Sequence, residues 1–117
     1  MKLAIIGSRG IAEANIEAHL PEGVTEIVSG GAKGVDRLAA EYARANGIPL
    51  TEILPDYARY GRGAPLKRNE QIADYADAAL VFWDGRSKGT AYAAECFRKR
   101  GKPTKTVSVL PAEHPFE

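Results

Sequence analysis

The chain has 117 residues, 44% of them hydrophobic, which suits one compact domain with one core. Sixteen Lys and Arg stand against fifteen Asp and Glu, a formal net charge of +1. That balance excludes bulk attraction to nucleic acid or a membrane surface, so any anion recognition has to be local. The single cysteine, Cys96, excludes an intrachain disulfide, and its place beside Phe97 in a helical pattern points to packing.

Met1 and Lys2 lead into the apolar run Leu3 to Ile6, which stops at Gly7. The run is too short for a signal or membrane-spanning segment, so a cytoplasmic protein is the expectation. Helical spacing follows over Ala12 to Leu20, then a second apolar run from Glu26 to Val28. The next helix, Val35 to Asn46, places Val35, Leu38, Ala39, Tyr42 and Ala43 on one stripe, and Gly47 with Pro49 ends it. A third strand is predicted over Leu50 to Leu54, a loop from Pro55 to Asn69, and a helix from Leu66 to Tyr75 that overlaps the end of the loop. Ala79 to Trp83 reads as a strand, Thr90 to Arg100 as a helix, and Thr106 to Val109 as the fifth strand. The basic run Arg98, Lys99, Arg100 suits the helix dipole as a solvated end. Alternating strands and helices predict an α/β fold: a three-layer sandwich on a five-stranded parallel sheet with the first strand central. One domain is expected over residues 1–110, with an irregular tail from Pro111 to Glu117.

Loops leaving the carboxyl ends of parallel strands open on one edge, where ligands bind in α/β sheets. Four loops leave that edge, Gly7-Ser8-Arg9-Gly10, Ser29 to Gly34, Pro55 to Asn69 and Asp84 to Thr90, and the first, second and fourth place glycine beside a helix start. Glycine lets backbone N–H groups approach an anion, and each loop feeds a helix start with unpaired donors. Ser8, Ser87 and Thr90 add hydroxyls; Arg9, Lys33 and Lys88 add charge. For any one loop, glycine can equally serve positive φ alone, with Ser87 a helix cap and Asp36 a first-turn acid. Three such loops on one edge favour a phosphate or ribose cradle.

Two familiar nucleotide motifs are excluded by spacing. Gly7-Ser8-Arg9-Gly10 lacks the Gly-x-Gly-x-x-Gly of dinucleotide enzymes, and Ser29 stands where their ribose-binding acid belongs. Lys33-Gly34 and Lys88-Gly89 reverse the Gly-Lys order of the triphosphatase loop.

The ordered set Ser29-Gly30-Gly31-Ala32-Lys33-Gly34-Val35-Asp36, Pro55-Asp56-Tyr57, Gly61, Ala64-Pro65, Arg68-Asn69, Asp77, Trp83-Asp84-Gly85 and Ser87-Lys88-Gly89-Thr90 resembles the SLOG superfamily, in its small YspA-like branch. The resemblance runs from about Leu3 to Val109. It implies a Rossmann-like fold that binds nucleotides or nucleotide-derived ligands. Related groups are the LOG phosphoribohydrolases, which cleave the base from a nucleoside monophosphate, and DNA-processing protein A, which binds single-stranded DNA. Against the hydrolase pattern, Arg68, Asp77, Gly89 and Thr90 match. Gly85-Arg86-Ser87 replaces its Pro-Gly-Gly, and Ala93 stands at its catalytic Glu. Glu70, Asp36 or Asp84 would have to supply a carboxylate, so the catalytic residues are unknown.

Lys67 and Arg68 at a helix start oppose the dipole, which points to a ligand for Arg68, with Asn69 beside it. Tyr57, Arg59, Tyr60 and Arg62 form either a platform for a base or packing for their loop. His19 and His114 have no metal-ligand spacing with acids or Cys96. The expected site is therefore Gly7, Ser8, Arg9, Gly30, Gly31, Lys33, Gly34, Asp36, Arg68, Asn69, Asp84, Ser87, Lys88, Gly89 and Thr90, holding a nucleotide or its derivative. Neither metal, cofactor nor membrane is expected. Single-stranded nucleic acid is the less favoured partner, and self-association is left open.

Overall fold

The computed structural model describes residues 1–109; the expected tail from Pro111 to Glu117 lies outside the described residues. Five strands, β1 (Lys2–Gly7), β2 (Glu26–Ser29), β3 (Leu50–Glu52), β4 (Ala78–Trp83) and β5 (Thr104–Ser108), form one sheet in the order β3-β2-β1-β4-β5. Every pairing is parallel, and β1 is central as expected. The helices are α1 (Ile16–His19), α2 (Val35–Ala45), α3 (Tyr57–Tyr60), α4 (Ala64–Tyr75) and α5 (Lys88–Lys99), with a 3-10 turn over Gly61–Gly63.

Period-two alternation sorts the strands onto two cores. Leu3, Ile5, Ile27, Leu80 and Phe82 face α1 and α2, meeting Ile16, Val35, Ala39 and Ala43. Ala4, Ile6, Val28, Ala79 and Val81 face the other way, onto Ile72 and Ala73 of α4 and Ala93, Cys96 and Phe97 of α5. Burying each large aliphatic side chain contributes about 1.5–3 kcal/mol. Cys96 is thus a core residue, as its neighbourhood predicted.

Several element limits differ from expectation, each for a local reason. The helix expected from Ala12 to Leu20 is only the four residues of α1. Asn15 caps it by accepting from Ala18 N at 3.1 Å, and Leu20, forced extended by Pro21, ends it. β3 stops at Glu52, with Ile53 N still bonded to Ser29 O at 2.9 Å, while Leu54 turns out to solvent at 60% exposure. The two edge strands β3 and β5 are half-covered rather than buried. The stretch from Pro55 to Asn69 is largely helical: Asp56 caps α3 through Arg59 N at 3.1 Å, and α4 starts at Ala64 with Pro65 in its first turn. α5 starts two residues early, at Lys88, because Ser87 is its cap. Its basic end is not wholly solvated either. Arg100 Nε donates to Asp74 Oδ1 at 2.7 Å, tying α5 to α4.

Candidate functional site

Because all strands run the same way, Gly7, Ser29 and Trp83 end on one edge, and Ser8 N continues the β1–β4 ladder by donating to Phe82 O at 3.1 Å. Above that edge, between the β1, β2 and β4 loops and the first turns of α4, lies a crevice of about 410 Å³. Its size falls in the range of small-molecule sites. Gly7, Ser8, Arg9, Gly30, Asp36, Arg68, Asn69, Asp84, Ser87, Gly89 and Thr90 of the expected site all line it.

One end is the amino terminus of α5. Ser8 is buried there, its Oγ accepting from Asp84 N at 3.3 Å and standing 3.5 Å from Thr90 Oγ1. Thr90 Oγ1 lies 3.0 Å from Ser87 Oγ, which caps Thr90 N at 3.4 Å. The Asp84 carboxylate accepts from Arg86 N and Ser87 N, each at 2.8 Å. The Ser87 and Arg86 amides hold that carboxyl below its ordinary value, so Asp84 organises the loop as a carboxylate. Nothing lies within 4 Å of where a Cβ on Gly89 would stand. Of the first-turn amides of α5, Thr90 N is capped by Ser87 Oγ and Ala91 N bonds Ser87 O, while those of Lys88 and Gly89 have no intrahelical acceptor, and Gly89 lines the crevice.

The middle of the crevice holds an acid and a base that are both buried. Arg68 is 7% exposed, donating from Nη1 to Gly30 O at 2.5 Å and from Nε to Asn69 Oδ1 at 3.0 Å. Asp36, also 7% exposed, accepts from Ala32 N at 3.1 Å through Oδ2. Burial pushes the Asp36 carboxyl up, against the Ala32 amide and the Arg68 charge; burial pulls the Arg68 guanidinium down, against Asp36. Gly30 separates the two: a Cβ there would stand 2.5 Å from Arg68 Nη1 and 2.9 Å from Asp36 Oδ2. The expectation that Arg68 sits at a helix start is corrected. It lies in the second turn of α4, and part of its charge is engaged by the Gly30 carbonyl.

Four expected residues lie elsewhere. Gly31 and Lys33 line an adjoining crevice of about 550 Å³, which shares Arg9, Gly30, Asp36 and Arg68 with the first. Gly34, at φ +73°, packs where a Cβ would meet the Ser8 and Arg9 carbonyl oxygens at 2.5 and 2.6 Å. Lys88 lines neither crevice. Glycine also has packing reasons at Gly7, against Phe82 O and Val35, and at Gly31, which has φ +71° and faces Leu54.

The sequence reading missed the apolar wall, made by Ile6, Pro65, Leu66, Ile72 and Ala93. Leu66 and Ile72 fit an ordinary amphipathic pattern, so only their height on α4 reveals them. Tyr57 is 58% exposed on the rim of the second crevice, whereas Tyr60 lies beneath Arg59 and Lys67, whose cations are 5.3 and 5.8 Å from its ring centre. Among the described residues no group of three or more His, Cys, Asp or Glu is placed to hold a metal ion, and no helix is long and apolar enough to cross a membrane.

The family model described as "YspA, cpYpsA-related SLOG family" matches residues 1–60, just over half the chain. That match covers β1 to α3, so Arg68 and the α5 end of the crevice lie beyond it. The gene 61 protein of Mycobacterium phage D29 is 36% identical over 83 residues, covering 66% of this chain and 66% of the phage protein. The chain thus spans about two thirds of that relative's length. No solved structure matches.

Proposed function

Because this chain belongs to the YspA, cpYpsA-related SLOG family, we propose that the crevice between β1 and β4 binds a nucleotide or a nucleotide-derived small molecule. The observation that carries the reading is the division of the crevice into three chemistries. The Lys88 and Gly89 amides at the start of α5, with the Ser8, Ser87 and Thr90 hydroxyls, suit a phosphate. Asp36 and Asn69 suit ribose hydroxyls, and Pro65, Leu66 and Ile72 offer an apolar face to a base. Arg68 adds a cation held in place by the Gly30 carbonyl.

The proposed role is binding without hydrolysis. Ala93 lines the crevice where the hydrolase pattern has its acid, Asp84 is committed to two loop amides, and Glu70 is not among the lining residues. Two or three charge-assisted hydrogen bonds, each worth about 1.5–3 kcal/mol net, would support micromolar affinity. Calorimetry with the four nucleoside 5′-monophosphates and the matching nucleosides tests this. Monophosphates should bind and nucleosides should bind more weakly; equal affinity would remove the phosphate from the reading. Mass spectrometry of small molecules released from the purified, denatured protein would identify a co-purifying ligand.

A further inference from the structure

The second crevice carries a charge that the chain as a whole does not. Arg9, Lys33, Arg37, Arg44 and Arg68 line it against two carboxylates, Asp36 and Glu52, although the net charge of the chain is only +1. Sequence spacing explains the concentration. Arg37, Ala40 and Arg44 recur at helical intervals on one side of α2, with Lys33 just before the helix. The small Ala40 between the two arginines and the bare backbone of Gly30 and Gly31 leave the groove open. Arg37 pairs along the helix with Glu41 at 3.1 Å, an exposed pair worth little in water, Arg44 has only a loose partner, Glu52 at 3.8 Å, and among the described residues Lys33 and Arg9 form no ion pair. Five cations against the carboxylates of Asp36, Glu52 and the Arg37 partner Glu41 leave the groove with an excess of positive charge, which attracts an anion locally.

The two crevices adjoin, sharing Arg9, Gly30, Ala32, Asp36 and Arg68, and Asp36 stands in the wall between them. A phosphate suits the α5 end of the first and the Arg37–Arg44 groove of the second. Between them a carboxylate repels phosphate and accepts from sugar hydroxyls. We propose that the ligand carries a phosphate on each side of its ribose, one for each crevice, so that the α2 groove is a second phosphate site. This rests on the nucleotide reading of the first crevice and specifies its ligand further. The same chemistry has two sources, a free nucleoside 3′,5′-bisphosphate and a 5′-phosphorylated dinucleotide, whose second phosphate is a diester.

The test is calorimetry on the full chain with 5′-monophosphates, 3′,5′-bisphosphates and 5′-phosphorylated dinucleotides of each base. It is repeated on an Arg37→Ala, Arg44→Ala double variant, whose changes are at exposed helical positions. The second phosphate should tighten binding about tenfold or more in the wild type, as one or two new charge-assisted bonds would. In the variant the gain should shrink to within about threefold while monophosphate affinity stays the same. Preference for the bisphosphate would identify a free small molecule, and an equal or greater gain with the dinucleotide would identify a nucleic-acid end; both support the second site. Equal affinity for mono- and bisphosphates together with dinucleotides, or a gain that survives in the variant, would overturn it and leave the nucleotide reading standing. Binding of none of the panel would overturn both.

Discussion

Arg68 of α4 donates to the carbonyl oxygen of Gly30 at the end of β2, 2.5 Å away and 38 positions apart in sequence. The bond closes one side of the crevice, fixes the guanidinium near Asp36, and satisfies a carbonyl that burial would otherwise leave without a partner. In the proposed reading, stability and ligand recognition therefore meet in one side chain.

Replacing Arg68 with Ala should cost about 1–3 kcal/mol, the usual penalty for orphaning a buried polar group. It should also weaken nucleotide binding at temperatures where the variant remains folded. Urea denaturation and calorimetry on the same preparation check the two effects. Undiminished affinity in a folded Arg68→Ala protein would assign the arginine to structure alone.

Asp36 gives a pH dependence of definite sign. Burial raises its carboxyl above the ordinary 3.8, so the fold keeps the proton at pH values where the unfolded chain has released it. Asp36 therefore lowers stability progressively as pH rises from the ordinary value through the raised one, and by a constant amount above it. Asp36→Asn removes that loss. The stability of the variant minus that of the wild type should climb across this window and then level off, as followed by denaturant midpoints at a series of pH values. Asp74, Asp77 and Asp84, whose carboxyls are lowered, are present in both proteins and cancel in the difference.

Gly34 and Gly89 should respond oppositely to alanine. At Gly34 positive φ and two backbone oxygens leave a Cβ no room, so Gly34→Ala should destabilise by roughly 2 kcal/mol or more. Gly89 is helical and open, so Gly89→Ala should leave stability unchanged or raise it by about 0.5–1 kcal/mol. Its methyl group would nevertheless enter the crevice that Gly89 lines. Weaker nucleotide binding in a protein at least as stable as the wild type is the expected result, measured by thermal melting and calorimetry.

Incubation with nucleoside monophosphates should release little or no free base by chromatography. A buried carboxylate is missing at Ala93, and Asp84 is held ionised by its two amides, which suits it poorly to donate a proton. Robust turnover abolished by Asp36→Asn, with binding retained, would show instead that the raised Asp36 carboxyl does the work of the absent acid.

Strand positions, helix faces and the shared edge of the loops were legible without coordinates, because a buried parallel strand is an apolar run whatever its neighbours and parallel direction puts every β-to-α loop on one side. The limits of α1 and α5 were less so. Helical spacing continues through Ala12 to Leu20, but the capping hydrogen bond of Asn15 is what starts the helix, and Ser87 likewise moves the start of α5. Among the glycines, sequence alone left open whether ligand approach or backbone conformation required each. Tertiary structure gives Gly7 a packing reason, Gly34 both packing and positive φ, and Gly31 a positive φ beside Leu54, while a Cβ on Gly89 would meet nothing. The division of one expected site into two crevices, and the burial of Arg68 against Gly30, depend on which atoms of distant segments meet. Local spacing encodes the period of an element and the chemistry of its side chains; distances between elements arise only when the sheet and its two helical layers pack together.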